Sequence, residues 1–348
     1  MEEGLTVEDP LGGDIEVNNA GPEQSYPKPP LRVVFMGTPD FAAVILRRLL
    51  GWPGAEVLCV YTQPDRPSGR GREPKPSPVK LAALEAGVEV RQPLNFKDQA
   101  DVAALRELAP DVLVVAAYGL ILPQAVLDAA RLMPVNVHAS LLPRWRGAAP
   151  IQRALQAGDK ATGITIMRML LGLDSGPILL QRALRIADTD HAGTLHDELA
   201  EMGAETLLEA LTRLPQGRLL NMPQDEARVT YAPKLNKDEG RIDWNAEAET
   251  LNRHIRAMHP WPGAYFEWKQ PSDKTLTLTI EPGKVGGELP AGTTPGTILG
   301  VVDGQDGKYL AIACADKAYL TPRVTPQGKK PQDAPSFACG YLKNTCQG

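Results

Sequence analysis

Leu31-Arg-Val-Val-Phe-Met-Gly37 is an apolar run with one arginine, closed by glycine. It reads as a buried strand ending in a tight turn, and the segments after it repeat that theme. Residues 41–50 have helical spacing and stop at Gly51, and 56–62 form a second apolar strand. A helix over 79–86 ends at Gly87. Asp111-Val-Leu-Val-Val-Ala-Ala117 is a third, very apolar strand. A short helix over 123–130 starts on a proline, a strand covers 135–139, and a helix over 148–157 ends at Gly158. Strands alternating with helices predict parallel β-α-β units, and near-continuous apolar strands predict a sheet covered on both faces. The expectation is an α/β fold with a Rossmann-like parallel sheet.

The alternation ends with a helix over 194–214. Residues 220–239 are polar and carry two prolines, Pro223 and Pro233, and are read as an extended linker. After a helix near 246–258 the pattern changes to short strands at 275–280, 296–302 and 309–313, separated by Gly and Asp turns. Such strands predict a small β-barrel or sandwich. The domain expectation is therefore a tail over 1–30, a catalytic domain over 31–219, a linker over 220–239 and a β domain over 240–345.

The chain has 348 residues, enough for two domains at roughly 100–200 residues each. No apolar run approaches the roughly 20 residues a membrane-spanning helix needs. Four cysteines without a C-x-x-C pair predict reduced thiols, and five histidines without a ligand spacing give no metal signal. Residues 1–30 hold seven acids and one base, so the formal charge of −5 belongs to the tail and the body is close to neutral at +1. That tail is expected to be disordered, and it is neither a signal nor a transit peptide in composition. A neutral body leaves room for nucleic-acid contacts through a local basic segment.

The first strand ends in Gly37-Thr-Pro-Asp-Phe41, which is neither G-x-G-x-x-G nor a P-loop. Pro39 also removes a backbone donor that a phosphate loop needs, so this turn is not expected to bind NAD or ATP. It is a helix-starting turn, or one that sets Phe41 against a substrate pocket. Asn136 and His138 are two apart on a strand and share a face at its carboxyl end, where ligands of open α/β sheets bind. Asn offers amide donors to a developing oxyanion, and His exchanges protons near neutral pH. Asp174, between Gly172 and Gly176, is a carboxylate on a loop able to approach a ligand closely. Taken singly, each of these also reads as a buried polar pair or a plain turn. Ser140 beside His138 lacks the G-x-S-x-G setting of a hydrolase nucleophile. Finally, residues 61–80 carry Arg66, Arg70, Arg72, Lys75 and Lys80 against Asp65 and Glu73, with Gly69 and Gly71 giving freedom. Basic segments of this kind order on nucleic acid.

The whole set is more specific than its parts. FMGTPDFA, YTQPDRPSGRGREPKPSPVK, AAYGLILP, NVHASLLPRWRGAAPIQ, GLDSGPIL, TYAPKLNKDEGRIDW and HPWPG occur in this order. Together they resemble the methionyl-tRNA formyltransferase family over about 31–345. The resemblance implies a formyltransferase domain followed by a small OB-like β-barrel domain. It implies 10-formyltetrahydrofolate as co-substrate, no metal, initiator methionyl-tRNA as partner, no membrane association, a monomer, and a cytoplasmic location. By position it assigns Asn136, His138 and Asp174 to catalysis and Ser140, Leu141, Leu142 and Pro143 to folate binding. Arg70, Arg72 and Lys75 fall to tRNA binding and Phe41 to the methionine pocket. The acidic tail and the ending SFACGYLKNTCQG depart from the family pattern, and the ending leaves the last strand's boundary open. A formyltransferase acting on a small amine, a folate-dependent hydrolase, and an inactive RNA-binding module all remain compatible with the residues.

Overall fold

The computed structural model describes residues 30–68, 73–270 and 273–342. The expectations for the acidic tail, for Arg70 and Arg72, and for the last six residues lie outside the described residues. The chain opens with β1 (Leu31–Gly37), α1 (Asp40–Leu50) and β2 (Ala55–Tyr61). A side chain at Gly37 would place its Cβ 2.6 Å from that of Ala42 and 2.9 Å from the Ala116 carbonyl, so glycine lets α1 start tight against the sheet. A small hairpin follows, β3 (Arg66–Ser68) with β4 (Glu73–Lys75), then α2 (Pro78–Glu85), β5 (Val90–Arg91) and α3 (Gln99–Glu107). Ser77 and Asp98 cap the two helices by accepting from Lys80 N and Ala100 N. Next come β6 (Val112–Ala116), α4 (Gln124–Leu127), β7 (Met133–His138), β8 (Arg146–Gly147) and α5 (Pro150–Ala157). The domain ends with β9 (Ala161–Arg168), β10 (Ile178–Arg185) and α6 (Ala192–Arg213).

The main sheet has the order β10-β9-β7-β6-β1-β2-β5. Its strands β7, β6, β1, β2 and β5 are parallel, as the alternation predicts. Strand β9 runs antiparallel to β7, and β10 antiparallel to β9, so the complete sheet is mixed. The short connection between β9 and β10 leaves no room for a crossover helix, which forces the antiparallel turn. Alternate residues of β1 serve two cores. Val33 and Phe35 join α1 and α6 on one face, while Val34 and Met36 join Leu113 and Tyr118 on the other.

The segment after α6 is extended, yet it is fastened to the first domain along its length. Met222 bridges Ile178, and β11 (Tyr231–Ala232) pairs in parallel with β8. Beyond it lie α7 (Ala248–Met258), β12 (Ala264–Lys269), β13 (Thr275–Ile280), β14 (Lys284–Glu288) and β15 (Ile298–Gly304). The chain closes with β16 (Gly307–Ala313), β17 (Lys317–Thr321), β18 (Arg323–Pro326), β19 (Gln332–Asp333) and α8 (Ala334–Tyr341). Two four-stranded sheets result, β12-β13-β18-β19 and β14-β17-β16-β15, forming an OB-like β-rich domain. The final described element is a helix, not a strand. Asp333 caps it by accepting from Ser336 N at 2.8 Å, and a proline occupies its first turn.

The two domains share one apolar core. Leu155 of α5 and Leu207 of α6 belong to the same cluster as Leu251 and Ile255 of α7 and Tyr319 and Phe337 beyond. Polar contacts reinforce the seam. Buried Arg256 donates to the carbonyls of Ala187 and Asp190, and Arg153 pairs with Glu239 at 2.6 Å.

Candidate functional site

Strand β7 lies inside the sheet, between β6 and β9. Asn136 and His138 sit at its carboxyl end, both buried, with alternation sending their side chains to the same face. The loop that follows folds back over them. Trp145 takes a left-handed backbone, φ +67°, which turns its carbonyl onto the imidazole, 2.9 Å from His138 Nε2. A carbonyl only accepts, so Nε2 carries a hydrogen and Nδ1 is the nitrogen turned toward Asp174. The tryptophan is itself held. Its indole Nε1 donates to Asp159 at 2.7 Å, its backbone N–H donates to Thr230 Oγ1, and Arg144 lies over its ring while donating twice to Asp159.

Asp174 arrives from the loop between β9 and β10, also in a left-handed conformation, φ +46°. Its Oδ2 accepts from the Gly147 N–H at 2.9 Å and lies 3.7 Å from His138 Nδ1. Its Oδ1 accepts from Asn136 Nδ2 at 3.4 Å. The three side chains singled out in the sequence thus converge on one carboxylate, from segments 38 residues apart. The 3.7 Å separation exceeds a direct hydrogen bond, so the Asp174 carboxylate faces the His138 ring without bonding to it directly. Gly147, φ +124°, could not carry a side chain, whose Cβ would fall 2.6 Å from the Ala232 carbonyl on β11.

Ser140 and Leu142 are buried, while Leu141 and Pro143 are half-exposed. The Ser140 hydroxyl donates to the Arg144 carbonyl, which turns it inward. The segment is bolted to the sheet through Thr165, whose hydroxyl donates to the Ser140 carbonyl at 2.6 Å and accepts from Leu142 N and Gln181 Nε2. Phe41 is buried too, and packs edge-on against His196 with ring centres 5.8 Å apart. In the basic segment, Arg66 and Lys75 stand opposite each other at the base of the β3–β4 hairpin, both exposed. Lys80 is not a free charge, since its ammonium holds Asp65 at 2.7 Å and Gln92 at 2.8 Å.

Two features carried no sequence signal. Exposed Leu171 and Leu173 set apolar surface beside Asp174. Gln224, in a polar stretch without periodicity, is buried beneath the Asp174 loop and bonded to it. The buried thiols Cys59 and Cys314 are pushed up by burial to about 11 and about 12, which leaves them protonated and poor nucleophiles. Among the described residues, no group of three His, Cys, Asp or Glu is arranged to hold a metal ion, and no helix is long and apolar enough to cross a membrane.

The comparisons with known proteins agree with this architecture. The family profile described as formyl transferase matches residues 31–211, and that described as formyl transferase, C-terminal domain, matches 234–342. Fold and site together define a two-domain formyltransferase. A methionyl-tRNA formyltransferase of Nitratidesulfovibrio vulgaris (strain DP4) is 55% identical over 319 residues, covering 92% of this chain and 95% of that protein. One from Pseudomonas syringae pv. syringae (strain B728a) is 49% identical over 302 residues, covering 87% and 92%. The chain belongs to the methionyl-tRNA formyltransferase family. Among solved structures, HypX from Aquifex aeolicus in complex with tetrahydrofolic acid superposes with a TM-score of 0.57 at 18% identity, over 90% of this chain and 48% of HypX. A 4-N formyltransferase from Francisella tularensis does so with 0.56 at 13%, over 73% and 99%. At these identities the likeness is one of fold.

Proposed function

We propose that the protein moves the formyl group of 10-formyltetrahydrofolate to the free amino group of initiator methionyl-tRNA. The observation that carries this reading is the convergence of Asn136, His138 and Asp174 at the carboxyl end of β7. The amine attacks the formyl carbon, a new C–N bond forms, and the carbonyl oxygen becomes an alkoxide. Asn136 Nδ2 supplies a hydrogen bond to that oxygen, and His138 in its protonated form supplies a second through Nδ1, since Nε2 is taken by the Trp145 carbonyl; each such donor is worth about 3–4 kcal/mol of barrier. Asp174, held by the Gly147 N–H, orients His138 and takes up the proton released by the attacking amine. Collapse of the intermediate breaks the bond to the folate nitrogen, which receives that proton through water. No covalent bond to the enzyme is formed at any point.

In this reading residues 31–219 carry the chemistry and 240–345 bind tRNA. The segment Ser140-Leu-Leu-Pro143 and the neighbouring Leu171 and Leu173 receive the folate. Phe41 borders the methionine side chain, and Arg70, Arg72 and Lys75 grip the acceptor end. The protein acts as a monomer in the cytoplasm. The test is formyl transfer to charged initiator tRNA, charged elongator tRNA and small amines in parallel. Strong preference for the initiator is the expected result. Equal or better use of a small amine overturns the tRNA assignment and leaves a small-amine formyltransferase.

A further inference from the structure

Gln224 lies between the two family-matched regions, which end at 211 and resume at 234. Its side chain is buried and every polar atom on it is used. The carboxamide nitrogen donates to two backbone carbonyls of the catalytic loop, Asp174 O at 2.8 Å and Gly176 O at 2.7 Å. The carboxamide oxygen accepts from Arg146 Nε at 2.9 Å. Arginine only donates and carbonyls only accept, so chemistry fixes which end of the amide faces the loop. Arg146, also buried, is held in turn by Glu226 at 2.8 and 3.3 Å. Glu226 is two residues beyond Gln224, so the interdomain segment supplies both ends of the clamp.

The Asp174 loop needs such a clamp. Its backbone is left-handed at an aspartate, a conformation that persists only where the surroundings impose it. Among the described residues the carboxylate accepts hydrogen bonds from Asn136 Nδ2 and the Gly147 N–H, none of them from its own loop, and Gly147 is itself fastened to the interdomain segment by the β8–β11 pairing. We infer that Gln224 is a positioning residue for the formyl transfer. It holds the backbone on either side of Ser175 so that the Asp174 carboxylate faces His138. The interdomain segment is therefore part of the catalytic apparatus rather than a tether. This inference rests on the catalytic role proposed above for Asp174.

Gln224→Glu is the discriminating variant. It keeps the size of the side chain and the partner Arg146, but turns a carboxylate oxygen toward two carbonyls. A displacement of the carboxylate by about 1 Å is enough for a loss on the order of tenfold to hundredfold. The expected result is a kcat lower by at least about tenfold, with KM for folate and for charged tRNA within about twofold, because the residue touches neither substrate. In an Asp174→Ala background the same substitution should add almost nothing, since its effect passes through that carboxylate. A kcat within about twofold of wild type overturns the inference. So does a rise in KM alone, or a full additional loss in the Asp174→Ala background. Should Gln224→Glu melt below the assay temperature, the uncharged Gln224→Met, of similar length, is measured by the same criteria. Wild-type enzyme is assayed alongside. An inactive wild type, or an Asp174→Ala variant with wild-type turnover, refutes the proposed function itself; an active wild type that depends on Asp174 but is indifferent to Gln224 refutes only this inference.

Discussion

Thr165→Val exchanges a hydroxyl for a methyl of nearly the same shape at a fully buried position. The hydroxyl makes three bonds, donating to the Ser140 carbonyl and accepting from Leu142 N and Gln181 Nε2. Gln181 keeps a partner in the Leu142 carbonyl at 3.0 Å, so the substitution strands two backbone groups, one carbonyl and one N–H. Each stranded group costs about 1–3 kcal/mol, and the extra methyl returns about 0.8 kcal/mol. The net loss is expected at about 1–5 kcal/mol. Urea unfolding of both proteins measures it, with an unchanged slope showing that only stability has moved. Because the freed segment is the one proposed to receive folate, the KM for 10-formyltetrahydrofolate should rise while the KM for tRNA stays put. A stability change below about 1 kcal/mol would refute the view that Thr165 anchors the Ser140–Pro143 segment. A unchanged folate KM on a destabilised protein would refute the placement of folate there.

His138→Ala and Asn136→Ala should each lower kcat by at least about 100-fold without unfolding the protein, as steady-state kinetics and circular dichroism on the purified variants would show. Arg70→Ala should impair charged initiator tRNA in KM, kcat or both and leave folate binding intact, with a smaller loss on a tRNA whose acceptor end is already unpaired. Wild-type kinetics would remove Arg70 from recognition. Lys75→Ala should act more mildly, and its effect should be largest at low salt and shrink as salt rises, as the loss of a phosphate contact does. Acid should destabilise the fold through three histidines. Burial lowers the pKa of His191, His254 and His259 below the ordinary imidazole value of about 6.5, and His259 lowers His191 further. The native state resists protons that the unfolded chain accepts, so this contribution is complete above about pH 6.5 and is lost as pH falls below it. Since His191 Nδ1 accepts from Gly193 N and Thr194 N at the start of α6, His191→Asn should keep a cap yet flatten the melting temperature between about pH 6.5 and 5. An unchanged slope in that variant would assign the acid sensitivity elsewhere.

Much of the catalytic domain is legible from local pattern because each of its parallel strands is buried on both faces. The runs at 31–37 and 275–280 match β1 and β13 to the residue. Most other elements shift by a residue or two at their ends, where caps rather than apolar spacing decide. Strand β10 was hidden because Ile178-Leu-Leu-Gln-Arg-Ala-Leu-Arg185 spaces its apolar residues as a helix does; at the sheet edge, pairing with β9 overrides that spacing. Helix α3 carried a signal that apolar spacing alone missed, the Asp98 cap. The strands β12, β14, β17 and β18 are short and half-buried, so they leave little trace in hydropathy. Asn136, His138 and Asp174 stand out locally as polar groups on an apolar strand and as a glycine-flanked acid, but only the family resemblance joins them into a trio. Gln224 does not stand out, since a buried amide in a polar stretch looks like any solvated one. Only tertiary contact reveals its burial.

The apolar core that runs unbroken from α5 and α6 through α7 into the β-rich domain has a bearing on inheritance. Leu155 and Ile255 lie a hundred residues apart in the chain but are packed into one interior, so a substitution on either side is judged by the other. Calorimetry should show a single endotherm. Chimeras that exchange the second domain between relatives should express well only when the α5 and α7 surfaces come from the same parent. The two halves of this enzyme are in that sense a single unit of descent, and the outer surface of the second domain can drift only as far as the seam behind it permits.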